Sequence, residues 1–455
     1  MNKNFRKFIL VLSSFAMIAL CVFLGEGGMS QVNKNEVMSA DAAGVDSVSE
    51  VVSTETPSVE LYNQSGDAFT GTDTDALDTD ALDKDALENQ SEEKATEAAT
   101  EATVELSEAE KLVSKMSVED KVAQLFVITP DALTSTDAAM MAGEATKTAI
   151  NETPVGGLIY MGDNLQAPQQ VKDMLSKTNE YSVDRIGLPM FLCVDEEGGT
   201  VARVAGSNRF GVTNVGNMSE IGANGTVEDA KAAGETMGTY LSDLGFNIDF
   251  APVADVLTNP ENSIVKYRSF GCDMNVVSDM SIAVAKGLES KGITPTYKHF
   301  PGHGATAGDT HLGAAFTTKT IDDLKKDELV PFQTAIDSGA KIIMVSHISA
   351  PNITGHDTPA SLSDVMITEL LREDMGYDGI VITDSMEMGA ISSKYTSDEA
   401  AVLAIQAGAD MILMPEDFQK AYEGVLEAVK KGEISEERLN ESVARIVEVK
   451  LAMDK

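Results

Sequence analysis

Tryptophan is absent from this 455-residue chain, and aromatic side chains make up only 5% of it. A long ligand groove paved with aromatic faces is therefore not expected, and a small site is favoured. Basic residues are scarce as well: 34 Lys and Arg stand against 73 Asp and Glu, a formal net charge of −39. Nucleic-acid binding needs clustered cations to neutralise phosphates, so that class is excluded. The acidic surplus reads instead as a solvated, self-repelling surface. Cysteine occurs three times, at Cys21, Cys193 and Cys272, too few for a disulfide framework. Cys193 lies in an apolar run and is expected as a buried free thiol.

One long hydrophobic run stands at the N-terminus. Lys3, Arg6 and Lys7 precede the stretch Phe8–Leu24, which only Ser13 and Ser14 interrupt. A basic start followed by an apolar segment is the layout of a secretory signal. Its length lies between a long cleaved signal and a short membrane anchor. Residues 1–29 are therefore expected to export the chain to the cell surface or beyond, by cleavage or by anchoring. Lipid attachment at Cys21 is disfavoured by the bulky Leu20 before it, and small-residue cleavage sites exist at Gly25–Gly27 and Ala40–Ala42.

Residues 30–106 are rich in Asp, Glu, Ser, Thr and Ala and include the repeat Asp73-Thr-Asp-Ala-Leu, Asp78-Thr-Asp-Ala-Leu, Asp83-Lys-Asp-Ala-Leu. Such a segment buries too little apolar surface to offset ordering entropy, so a disordered acidic linker is expected. No glycine turn or distal Glu completes a calcium loop within the repeat.

From Ser107 the character changes. Eight short apolar runs read as strands buried on both faces: 125–129, 157–161, 190–194, 246–253, 294–298, 342–346, 379–383 and 411–414. Amphipathic helical patterns fall between most of them, at 169–181, 227–244, 276–291, 321–338 and 362–374, with closing helices in 417–453. Eight β-then-α units predict one (β/α)₈ barrel over residues 107–455.

Reactive groups of such barrels sit beyond the C-terminal ends of the strands. Asp195 follows the third run, Asp255 the fourth, Lys298, His299 and His303 the fifth, His347 the sixth, Asp384 the seventh and Glu416 the eighth. Six ionisable strand ends on one rim exceed what helix capping requires. Three of the five histidines fall between Tyr297 and Gly313. Pro301 and Gly302 break any helix that would put His299 and His303 on one face, so no metal is expected, and nothing points to a cofactor. Asp309 and His311, one residue apart, suit a carboxylate that orients an imidazole for proton transfer. His303 is expected to stabilise its loop, and His347 is left between substrate contact and structural support.

Lys298-His-Phe-Pro-Gly-His-Gly, Asp309-Thr-His311 and Val381-Ile-Thr-Asp384-Ser-Met-Glu-Met together resemble glycoside hydrolase family 3, closest to its single-barrel β-N-acetylglucosaminidases. The resemblance covers about residues 108–455. It implies a retaining, exo-acting β-N-acetylhexosaminidase with Asp384 as nucleophile, His311 as acid/base and Asp309 as the partner of His311. It also implies that Asp195, Arg203, Arg268, Lys298 and His299 hold the sugar. The substrate class it suggests is a small oligosaccharide or muropeptide carrying terminal N-acetylglucosamine. One position departs from the family: Thr200 stands where members often carry Arg after the double glycine. A β-glucosidase, another family 3 glycosidase or a phosphorylase would share this site, and a non-catalytic surface sugar binder would share the fold. The Asp309/His311 loop, and a chain ending soon after the barrel, favour the first reading.

Overall fold

A computed structural model of the chain describes residues 106–453 except 307, 309, 311, 312 and 314. The expected signal or anchor (1–29) and nearly all of the expected linker (30–106) lie outside the described residues. None of the described helices is long and apolar enough to cross a membrane.

The strands in chain order are β1 (Phe126–Ile128), β2 (Gly157–Ile159), β3 (Phe191–Val194), β4 (Glu196–Gly198), β5 (Val201–Ala202) and β6 (Ile248–Asp249). They continue as β7 (Thr294–Phe300), β8 (Ala315–Phe316), β9 (Ile342–Val345), β10 (Ile348–Ser349), β11 (Ile380–Ser385) and β12 (Met411–Leu413). β1, β2, β3, β6, β7, β9, β11 and β12 close into a parallel barrel, with β12 pairing back onto β1. This is the expected (β/α)₈ architecture, and every predicted run contributes a barrel strand. The two remaining pairs are additions on the connecting loops: β4 and β5 form an antiparallel hairpin, and β8 lies parallel to β10.

Helices form the outer layer. The helix Val227–Leu244 begins at Thr226, whose hydroxyl accepts from the Asp229 N–H, and ends at Gly245 in the left-handed region. Its face of Ala230, Ala233, Gly234 and Gly238 is buried and packs on the helix Met274–Glu289. A Cβ at Gly234 would meet the Val284 carbonyl oxygen at 2.2 Å, so this approach requires glycine.

The structure corrects several expected boundaries. The helix expected over 321–338 is two helices, Ile321–Leu324 and Leu329–Asp337. Pro331 has no N–H to offer the carbonyl four residues back, and its ring would clash there, so a continuous helix cannot pass. The helix expected over 362–374 is a short 3₁₀ turn followed by a π-wound helix, Val365–Asp374. The apolar run 246–253 supplies only a two-residue strand, because Pro252 has no donor for a ladder. Cys193 and Cys272 are both free, the first buried and the second exposed.

Two buried ionisable groups sit in the barrel wall in contrasting surroundings. Asp410, fully buried, accepts from Val381 N (2.9 Å), Ser442 Oγ (2.7 Å) and Arg372 Nη2 (2.5 Å), with Arg445 at 3.2 Å. Lys450 in the last helix is also fully buried. Its Nζ donates to Gln124 Oε1 at 2.8 Å and lies 4.9 Å from the centre of the Phe191 ring.

Candidate active site

A cavity of about 470 Å³ opens among the loops that follow the strands. Much of its polar frame comes from the ends of barrel strands, while Arg203 and Arg268 come from turns. Asp195 directly follows β3 and Glu197 lies two residues on, so extended backbone turns both toward the same side. Lys298 and His299 come from β7, whose register with β9 shifts between Tyr297 and Phe300. The Lys298–His299 peptide is cis, and both side chains line the cavity.

Lys298 joins the acids. Its Nζ lies 2.8 Å from Asp195 Oδ1 and 2.6 Å from Glu197 Oε1, with the lysine almost wholly buried. Burial alone would lower the Lys298 pKa, but Asp195 and Glu197 raise it above the ordinary value, so the ammonium stays charged. Arg268 forks onto Glu197 through Nε and Nη2, each at 2.7 Å. Burial would raise the Glu197 pKa, yet Arg268 and Lys298 hold it far below the carboxylate range. Arg203 approaches Asp195 only to 3.8 Å.

His299 is oriented from behind. Its Nδ1–H donates to Asp255 Oδ2 at 2.7 Å, and its Nε2 faces Arg268 Nη2 at 3.2 Å. A guanidinium only donates, so Nε2 presents its lone pair. Asp255 also accepts from the backbone N–H groups of His299 and His303 and is fully buried behind the cavity.

Asp384 enters the cavity from the end of β11. Ser385 N–H donates to its Oδ1 at 2.8 Å. Burial pushes this carboxyl up, but His299, His347, the Ser385 N–H and Lys298 together hold its pKa below the ordinary value. His347 is buried and donates Nε2–H to the Ser385 carbonyl at 2.9 Å, while Nδ1 is 2.7 Å from Ser361 Oγ. It therefore supports the Asp384 segment rather than lining the cavity. His303 does the loop work expected of it, through Thr306 Oγ1 at 3.1 Å and Thr310 Oγ1 at 3.3 Å.

Of the expected residues, Asp195, Arg203, Arg268, Lys298, His299 and Asp384 converge on this one cavity. Asp309 and His311 lie outside the described residues. Thr310, between them, lines the wall, and its carbonyl accepts from Ala390 N at 3.1 Å. Glu416 does not belong to the site: it is exposed, because the chain turns outward after β12 at Met414, whose φ is 46°. Thr200 is likewise exposed, at the β4–β5 turn and off the cavity wall. Glu197 was not singled out from sequence, although its two-residue spacing from Asp195 on extended backbone carries the signal. The apolar wall was not foreseen either. Met161, Met344, Met388 and Met414 supply much of it, and none of the described lining residues is Phe or Tyr.

Residues 117–449 match the family described as Glycosyl hydrolase family 3 N terminal domain. The chain belongs to glycoside hydrolase family 3. Among its relatives in this family, "Beta-hexosaminidase A" of Pseudoalteromonas piscicida is 32% identical over 327 residues, covering 66% of this chain and 54% of that protein. "Beta-hexosaminidase LpqI" of Mycobacterium tuberculosis is 36% identical over 271 residues, covering 58% of this chain and 68% of that protein. The structure of a family 3 β-N-acetylglucosaminidase from Paenibacillus sp. str. FPU-7 superposes with a TM-score of 0.70 at 36% identity. That match covers 75% of this chain and 64% of the Paenibacillus protein. The chain thus spans little more than half the length of the Pseudoalteromonas protein it matches.

Proposed function

We propose that the chain is a retaining, exo-acting β-N-acetylhexosaminidase that removes terminal N-acetylglucosamine from peptidoglycan fragments or chitooligosaccharides. The observation that carries the reading is Asp384, a carboxylate kept ionised inside a small cavity framed by Asp195, Arg203, Arg268, Lys298 and His299. The names of the similar proteins support the choice of sugar.

Asp384 Oδ attacks the anomeric carbon as the bond from that carbon to the leaving oxygen breaks. His311, partnered by Asp309, gives the leaving oxygen its proton. Water then attacks the glycosyl-enzyme ester, His311 takes the water proton, and Asp384 leaves as carboxylate. Asp195, Arg203, Arg268, Lys298 and His299 hold hydroxyls during ring distortion. A cavity of about 470 Å³ suits one terminal sugar better than a long chain. The basic-then-apolar segment Lys3–Leu24 supports action outside the cytoplasm, secreted or held at the surface.

The test is hydrolysis of 4-nitrophenyl β-glycosides of N-acetylglucosamine and of glucose, beside Asp384→Ala and His311→Ala, with and without phosphate. Preference for the N-acetyl substrate, abolished in Asp384→Ala, is the expected outcome. Preference for glucose rejects the sugar assignment, and a requirement for phosphate rejects hydrolysis. Sugar binding without turnover places the protein among binders.

A further inference from the structure

Three acids run in succession from the end of β3: Asp195, Glu196 and Glu197. Side chains alternate along extended backbone, so the outer two meet Lys298 and the middle one turns away from the cavity. Glu196 is fully buried, and every donor it meets is neutral. Its Oε2 accepts from Val204 N at 2.7 Å, and its Oε1 accepts from Ala205 N and Tyr240 Oη, each at 2.8 Å. Val204 and Ala205 directly follow Arg203, while Tyr240 belongs to the helix Val227–Leu244 packed outside the barrel. The carboxylate thus fastens the segment carrying Arg203 to a helix of the outer layer.

Arg203 needs such a hold. Its guanidinium stands 3.8 Å from Asp195, beyond hydrogen-bond distance, and its buried Nε has no hydrogen-bond partner among the described residues. Its own side-chain interactions therefore do not fix it. A buried carboxylate facing only neutral donors is costly compared with an apolar side chain of similar size, so fold stability alone does not account for Glu196.

We infer that Glu196 is a positioning residue, whose carboxylate, anchored by Tyr240, presets the backbone after Arg203 so that its guanidinium meets the substrate in the cavity. This rests on the proposed hydrolysis of a sugar bound there. A glutamine at 196 keeps the shape but turns an NH₂ toward a backbone N–H, so one clamp bond becomes a donor–donor clash.

The experiment is a double-mutant cycle in the full chain: Glu196→Gln, Arg203→Ala and the double variant, with KM and kcat for the aryl N-acetylglucosaminide and a melting curve for each. Glu196→Gln is expected to raise KM about tenfold, the equivalent of removing one charge-assisted hydrogen bond to the sugar, with kcat within about threefold. In the Arg203→Ala background it is expected to add less than about twofold. An equal rise in both backgrounds, or a lowered Tm with unchanged KM, overturns the inference. Should Glu196→Gln fail to fold, Tyr240→Phe keeps the carboxylate and both backbone bonds. Its smaller KM rise must also vanish with Arg203→Ala. A wild-type protein that turns over no glycoside rejects the proposed reaction and leaves the clamp to be read from Kd for N-acetylglucosamine across the same cycle. No sugar binding by the wild type overturns both.

Discussion

Lys450 offers the sharpest quantitative test of the barrel's interior. Among the described residues its ammonium has no carboxylate partner, only the Gln124 side-chain oxygen at 2.8 Å and the Phe191 ring. Burial pulls its pKa from the ordinary lysine value of 10.5 down to about 7. In the unfolded chain the group returns to about 10.4. Between those values the unfolded state binds the extra proton, so this group makes stability rise as pH rises from about 7 to about 10. Its penalty is complete below pH 7. The gap is worth at most about 5 kcal/mol. Lys450→Met keeps the volume and removes the charge, but it leaves Gln124 Oε1 without its donor, at a cost of about 1–3 kcal/mol. The variant should therefore be more stable than the parent by about 2–4 kcal/mol at pH 6. That advantage should shrink steadily and reverse by about pH 10. Paired denaturant titrations at pH 6, 7, 8, 9 and 10 measure the difference directly, and effects of all other titrating groups largely cancel. A difference that stays flat across this range would refute the assignment of an uncompensated buried ammonium.

Other consequences concern the site. Asp255→Asn removes the acceptor that fixes the His299 tautomer and should lower kcat/KM by up to about 100-fold while the fold persists, as steady-state kinetics beside circular dichroism will show. Glu197→Gln strips Arg268 and Lys298 of a shared buried partner, and chemical denaturation should record a loss of about 3–5 kcal/mol. With its pKa lowered, the Asp384 carboxyl stays ionised until pH falls below the ordinary Asp value of about 4. An acid limb in the kcat/KM profile above pH 5 must then vanish in a variant of some other group, and its survival there would contradict the depressed Asp384 pKa.

Much of the fold was legible because buried parallel strands write themselves as uninterrupted apolar runs, and all eight were found that way. What escaped followed from competition that a window of sequence does not display. The 321–338 pattern has a continuous helical period, yet Pro331 divides it. The run ending at Val253 looks like a long strand until Pro252 is weighed as a missing donor. In the site, long motifs marked Asp384, Lys298 and His299, and the family resemblance marked Asp195 with Arg203. Glu416 was misplaced because its position after a strand was read without the left-handed turn at Met414. Glu197 was passed over because three consecutive acids resemble a solvated run. Only the alternation of extended backbone separates the two that face Lys298 from the one that turns to Tyr240.

The methionines of the cavity divide its surface into a stiff part and a soft part. Asp195, Lys298, His299 and Asp384 stand at strand ends, and ion pairs of Glu197 with Lys298 and Arg268 brace them, so these groups form a template of fixed spacing. Thioether side chains with three rotatable bonds yield to the outline of whatever lies against them. A planar ring would present one unchanging face to every guest, whereas Met161 and Met414 can redraw theirs. In the proposed reaction, strict discrimination among hydroxyl patterns and latitude toward apolar substituents would then coexist in one chamber, each assigned to a different class of side chain.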